Sequence, residues 1–193
     1  YRLINIFKNF FIKEKINNIH VKSIDNYNSD GNFDKHIPLG SLAKFFIKTR
    51  DDLKNFSNDR FSADSNEKQK ILNKLNQYKG FKIGLSWKTL NKDQDYRSAR
   101  LEDLLPLLNL NNCSFFNLQF GEVNNEIISF NKKYDLNIHQ FDDINNYNEI
   151  DKLCALIDSL DLVITIQNTT AHLSGAIGKK TFLLLSKNHR WHW

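Results

Sequence analysis

From Phe81 onward, five short apolar runs, FKIGLSW, SFFNLQF, LNIHQF, DLVITI and TFLLL, alternate with stretches of helical periodicity. The helical stretches are RLEDLLPLLNL, EVNNEIISFNKKY, NEIDKLCALIDSL and TTAHLSGAIG. Short apolar runs without in-out alternation suit strands buried on both faces, as a parallel sheet covered by helices requires. Strand, helix and strand joined by short connections form the right-handed βαβ unit. Residues 80–193 are therefore expected to form a doubly wound α/β domain with a parallel sheet of about five strands.

The preceding eighty residues carry a weaker pattern. RLINIFKNFFIKE places Leu3, Phe7, Phe10 and Phe11 at helical spacing. NIHVKSID suggests a short strand, and NYNSDGNFD is a polar, turn-rich loop. HIPLGSLAKFFIKT supplies a Pro-Leu-Gly turn and a short apolar helix. SADSNEKQKILNKLNQYKG reads as a helix capped by Ser62 or Asp64, with Ile71, Leu72 and Leu75 inward and Gly80 as its stop. The stretch 51–79 is thus expected to be a connector with a helix, leading into 80–193 as the α/β domain. With no Met and with HRWHW at its end, the chain is expected to be a piece of a longer protein.

An apolar share of 40% with 15 Phe supports a packed core and argues against disorder. The net charge of +5 comes from Lys residues spread along the chain among acidic ones. A nucleic-acid arm or membrane-binding helix would concentrate them, so neither partner is expected. Cys113 and Cys154 lie in apolar surroundings without metal-ligand spacing, and are expected to be reduced core thiols of a cytoplasmic protein. No apolar run approaches the ~20 residues of a transmembrane helix.

In a doubly wound sheet, ligands bind beyond the carboxyl ends of the strands, where loops meet helix amino ends. The run LVITI stops at Ile166 and is followed by Gln167, Asn168, Thr169, Thr170 and Ala171. Asn168 is a favourable helix cap, and Thr169 to Ala171 form the first helical turn. The amides there lack intrahelical partners and carry a partial positive charge, which suits an anion such as a diphosphate. The same residues also serve as an ordinary helix cap, and this segment alone does not separate the two roles. His172, one residue further, is either a packing residue or a substrate contact. Neither a G-x-G-x-x-G nor a Walker sequence occurs.

A second candidate loop, GLSWKTLNKDQDYRSAR, follows the first strand. Ser86, Lys88 and Thr89 lie just past the strand end, and Arg97 and Ser98 precede the next helix. A cation here would offset negative charge developing on a leaving diphosphate, unless these are ordinary surface residues. At the remaining strand ends, Gln119, Phe120, Gly121, Asp142 and Asp143 are candidates for contact with a base and ribose, or for capping the helices that follow.

Together, KIGLSWKT, RSARLEDLLPLL, FFNLQFGE, the run from Phe141 to Gly178, TFLLL and RWHW resemble the carboxyl-terminal half of a GT-B glycosyltransferase. The group resembled is bacterial, tetratricopeptide-linked and related to heptosyltransferases (glycosyltransferase family 9), and more distantly to O-GlcNAc transferase. The resemblance covers Lys82 to Trp193, and HIPLGSLAKFF resembles the exit from that family's first Rossmann-like domain, which implies that residues 1–50 are the tail of that amino-terminal, acceptor domain. Gln167 and Asn168 stand where Asp and Thr are usual. The resemblance implies a nucleotide-sugar donor bound without a metal or other cofactor. It implies diphosphate contacts from Asn168, Thr169, Thr170, Ala171, His172, Ser86, Lys88 and Arg97, and base or ribose contacts from Gln119, Phe120, Gly121 and Asp142. It further implies a glycan, lipid or protein acceptor, tetratricopeptide repeats in the full-length chain, and a catalytic base from the other half. The alternative is a non-catalytic α/β module that has lost donor binding and serves protein contacts.

Overall fold

The computed structural model describes residues 2–23, 34–52, 60–90, 96–189 and 193. Its centre is a five-stranded, all-parallel sheet in the order β3-β2-β1-β4-β5. The strands are β1 (Phe81–Ser86), β2 (Cys113–Asn117), β3 (Ile138–His139), β4 (Leu162–Ile166) and β5 (Thr181–Leu184). From β1 the chain winds outward through β2 and β3, then crosses back to lay β4 against the other side of β1. The doubly wound, Rossmann-like expectation holds, and the order reverses between β1 and β4.

Helices cover both faces. The 3-10 turn Leu101–Leu104, α4 (Leu105–Leu108) and α5 (Asn124–Tyr134) bury Leu101, Leu108, Ile127 and Phe130 against Ile83, Leu85, Phe115 and Ile164. On the opposite face, α6 (Ile150–Ser159) and α7 (Thr169–Ile177) pack on Phe116, Leu118 and Val163. All five residues of β4 are buried, as its continuous apolar run requires.

Two upstream helices join this second face. In α3 (Ser65–Leu75), Asp64 is the cap, accepting from the amides of Asn66 and Glu67. Ile71 and Leu75 enter the core, and Leu72 is only half-buried. The expected connector is thus a packed layer of the α/β unit. The other helix, α1 (Ile4–Lys13), buries Ile6 in the same core. Its start is fixed by Arg2, which donates to the Tyr147 carbonyl at 2.8 Å, and by Asn5, which donates to Asp151 at 3.0 Å. Residues 1–50 therefore contribute α1 to the body of the α/β domain.

Two local expectations are corrected, and a third, the short helix after Pro38, holds in part. RLEDLLPLLNL is not one helix but a 3-10 turn followed by α4, because Pro106 has no N–H to donate back into the preceding turn. The segment after Pro38 folds as α2 (Leu39–Leu42) and a 3-10 turn, Ala43–Phe45, with no buried residue. The described part of NIHVKSID, through Ser23, carries no strand. NYNSDGNFD lies outside the described residues except for Asp34. Arg190 and Trp191 of HRWHW also lie outside them.

Candidate functional site

The site forms where β1, β2 and β4 end, and one buried carboxamide organises it. Gln119 is 1% exposed. Its Oε1 accepts from the Ser86 hydroxyl at 3.1 Å, the Trp87 amide at 3.0 Å and the Lys88 amide at 2.9 Å. The opposite end donates to the Phe120 carbonyl at 3.0 Å. Ser86 in turn accepts from Asn168 Nδ2 at 2.7 Å. Asn168 Oδ1 accepts from the Ala171 amide at 3.3 Å and the Thr165 hydroxyl at 3.1 Å. A relay of polar side chains therefore runs from β2 through β1 to the amino end of α7, across the point where the strand order reverses.

Asn168 is the cap of α7, as its residue type suggested, and it takes up the Ala171 amide. The amides of Thr169 and Thr170 precede the first intrahelical acceptor, but Thr170 is buried as a whole residue, so Thr169 alone of the two is open at the helix end. Thr169 is exposed. The Thr170 hydroxyl is not at the rim: the residue is 1% exposed, with its hydroxyl directed at the Leu118 carbonyl 3.5 Å away. The physical reason is the helix's buried stripe of Thr170, Leu173 and Ser174, at i, i+3 and i+4. His172 is exposed and packs against Trp193 in a tilted arrangement, with ring centroids 4.4 Å apart.

The two candidate cations make internal contacts. Lys88 Nζ pairs with Glu126 Oε2 in the first turn of α5, and Trp87 Nε1 donates to Glu126 Oε1 at 3.1 Å. Lys88 thus turns toward α5 rather than standing free over α7. Arg97 crosses from the loop after β1 to the end of β4, where Nη1 donates to the Gln167 carbonyl at 3.2 Å. Gln167 is 1% exposed, and its Oε1 accepts from Ser186 at 2.9 Å. Among the described residues, Arg97 Nε and Gln167 Nε2 are buried donors without an acceptor. The loop carrying Arg97 is tied back by the Ala99 amide donating to the Trp87 carbonyl at 2.7 Å and by Thr89 N–H donating to Ser98 at 3.0 Å.

Beside the relay, beyond the ends of β2 and β3, lies a cavity of about 520 Å³. Gln119, Gly121 and Asp142 line it, so three of the four candidate base or ribose residues converge there. Gln119 has its oxygen committed to the β1 end, so its part is to hold the wall in place. Gly121, at φ +91°, makes the sharp turn after β2, and Leu90 closes over it. The fourth residue, Phe120, stacks on Tyr147 at 6.2 Å and 22°, and Arg2 lies 4.2 Å over the Tyr147 ring. Asp143 pairs instead with Lys74, which holds its carboxyl below the usual range.

Sequence reasoning missed most of the cavity wall. Asn117, Gln140, Asn145, Asn146, Tyr147 and Asn148 all face it. The available signal was the run Asn145-Asn146-Tyr147-Asn148 closely following the third apolar stretch, where strand ends and ligand loops coincide. Glu126 was also missed, because its partner Lys88 is distant in sequence.

No family model and no solved structure matches the chain. It is similar to protein FlbA of Caulobacter vibrioides, being 33% identical over 107 residues. That stretch covers 54% of this chain and 18% of FlbA. The chain therefore spans less than a fifth of the length of the curated relative it matches.

Proposed function

We propose that this chain is the donor-binding part of a GT-B glycosyltransferase that uses a nucleotide-sugar without a metal. The observation that carries this reading is the junction itself: the amino end of α7 and a 520 Å³ cavity lie on either side of one relay, Asn168–Ser86–Gln119. That volume falls within the ~300–1,000 Å³ of small-molecule sites. The diphosphate would lie against the amide and hydroxyl of the exposed Thr169, with the base and ribose in the cavity. An acceptor hydroxyl attacks the anomeric carbon; the glycosidic C–O bond to the diphosphate breaks, and the leaving oxygen's charge is received by the helix end. Arg97 is the nearer cation, since its guanidinium already reaches the end of β4. Lys88 would have to leave Glu126 to take part. The catalytic base is assigned to another part of the full-length protein, together with the contacts to a glycan, lipid or protein acceptor and any tetratricopeptide repeats. The free cysteines Cys113 and Cys154 support a reducing compartment, the cytoplasm.

The test is calorimetric titration of the full-length protein with UDP-, GDP-, ADP- and CMP-linked species. Binding of at least one is expected, weakened by Arg97→Ala by about tenfold, the loss of one charge-assisted hydrogen bond. Failure of every species to bind contradicts the reading. It would favour the second one, a protein-contact module, which draws support from the internal engagement of Lys88 by Glu126 and from the exposed apolar side chains of Phe182 and Leu184 in β5 and of Leu185 just after it.

A further inference from the structure

We propose that Glu126 competes with the ligand for Lys88: it holds the cation in a parked position, and an incoming diphosphate takes it over. This inference rests on reading the amino end of α7 as a diphosphate site. It starts from the way the carboxylate is held. Glu126 stands in the first turn of α5, where the helix's partial positive charge suits a carboxylate. Its Oε1 accepts from Trp87 Nε1 at 3.1 Å, and Oε2 pairs with Lys88 Nζ. Trp87 is fully buried, so its N–H needs that acceptor and keeps Glu126 in place whether or not Lys88 is there. The pair itself is not sealed. The side chains of Lys88 and Glu126 are 28% and 35% exposed, so water takes the place of either partner and no buried charge is stranded when they part.

The backbone of Lys88 is meanwhile fixed close to the helix end. From its amide nitrogen to Asn168 Nδ2 run three hydrogen bonds in series, of 2.9, 3.1 and 2.7 Å, through Gln119 Oε1 and the Ser86 hydroxyl. Ser86 lies opposite Thr165 in the sheet, so the chain leaves β1 at Lys88 beside the segment Gln167 to Thr169 that leaves β4. A lysine carries its charge on a flexible four-carbon stem, so a change of rotamers moves Nζ while the amide stays on Gln119. The exchange is driven by charge. Glu126 offers Lys88 one negative charge, already shared with the Trp87 N–H, and a diphosphate offers more than one. An uncharged nucleoside leaves Lys88 where it is. Glu126 therefore makes the site answer to the phosphate charge a ligand brings, and it receives Lys88 back when the ligand departs.

Titration of the full-length protein with the tightest-binding of ADP, GDP, CDP and UDP, at physiological salt, tests this in a cycle of variants. Glu126→Gln keeps an acceptor for Trp87 and removes the competing charge. Affinity should then rise about three- to fivefold, the worth of a partly exposed ion pair no longer given up. In the Lys88→Ala background the same substitution should change affinity by less than about 1.5-fold, because exposed charges are screened over about 8 Å. Should Glu126→Gln not fold, the Trp87 indole N–H resonance of the unmodified protein gives a second reading. Saturation with the nucleotide should move it toward its position in ligand-free Lys88→Ala. A Glu126→Gln variant that binds no more tightly, an equal gain with and without Lys88, or an indole resonance unmoved at saturation overturns the exchange and leaves the donor site standing. Binding of none of the four overturns both the exchange and the donor site.

Discussion

Asn168 Nδ2 donates to the Ser86 hydroxyl at 2.7 Å, joining the end of β4 to the end of β1 across the reversal of strand order. Because the Ser86 hydroxyl in turn donates a hydrogen bond to Gln119 Oε1, the contact couples three strand ends. Asn168 thus has two functions at once: it caps α7 and sets the position of that helix end relative to the cavity.

Substitutions at Asn168 separate those functions. Asn168→Ala removes both the cap and the tie and is expected to lower stability by about 1–2 kcal/mol. Asn168→Asp keeps the acceptor for the Ala171 amide and should stay within about 1 kcal/mol of the parent, because a carboxylate suits a helix amino end. It places negative charge where the diphosphate belongs, so nucleotide affinity should fall more than ~10-fold. Urea unfolding and titration, run in parallel, read the two effects.

Gln119 should be among the costliest polar positions to lose. Gln119→Leu leaves the Ser86 hydroxyl and the amides of Trp87 and Lys88 without their common acceptor. A loss of about 3 kcal/mol or more is expected in chemical unfolding, given 1–3 kcal/mol for each buried group left unpaired. Gln119→Glu retains the acceptor and should cost less than Gln119→Leu. Equal losses would mean that volume, not hydrogen bonding, matters there.

Gly84 is required by packing in the middle of β1. A Cβ there would stand 2.3 Å from Leu118 Cδ1 and 2.7 Å from Leu160 Cδ1, both on fully buried side chains. Gly84→Ala should therefore destabilise by about 1–3 kcal/mol, the usual cost of overpacking. A thermal melt unchanged from that of the parent would show that the leucines yield freely.

His139 gives the fold a dependence on mild acid. It packs against the Tyr78 ring at 4.3 Å and Phe116 at 5.4 Å, and burial holds its pKa below the ordinary 6.5. The unfolded chain therefore binds the proton at a higher pH than the folded one. Stability should be full above pH 6.5 and fall as pH drops from there through the folded value. His139→Phe should flatten that window. The paired carboxylates Asp143 and Glu149, also held low, make their own loss only below their ordinary values of 3.8 and 4.5. Unfolding curves from pH 8 to pH 5 check the sign.

The strands were legible because burial on both faces leaves short runs without in-out alternation, which 83–86 and 162–166 display. The run LNIHQF was less so: only Ile138–His139 pairs, since Ile138 alone supplies a fully buried apolar side chain there. Asn168 as a cap was legible from residue type. That Thr170 faces the sheet was also readable, from Thr170, Leu173 and Ser174 at helical spacing, but the hydroxyl drew attention to the wrong side. Lys88 with Glu126, and Asn146 with the end of β2, are contacts between residues 38 and 27–29 positions apart. No local pattern encodes them, and they define much of the site.

The central claim is that the amino end of α7 receives the diphosphate of a nucleotide. Amide chemical shifts of the isotope-labelled full-length protein, followed as a nucleoside diphosphate is added, test it most directly. The amide of Thr169 should shift together with that of Gly121, saturating at a common concentration. Saturating shifts that leave Thr169 unmoved, or no shifts with any nucleoside diphosphate, would contradict it.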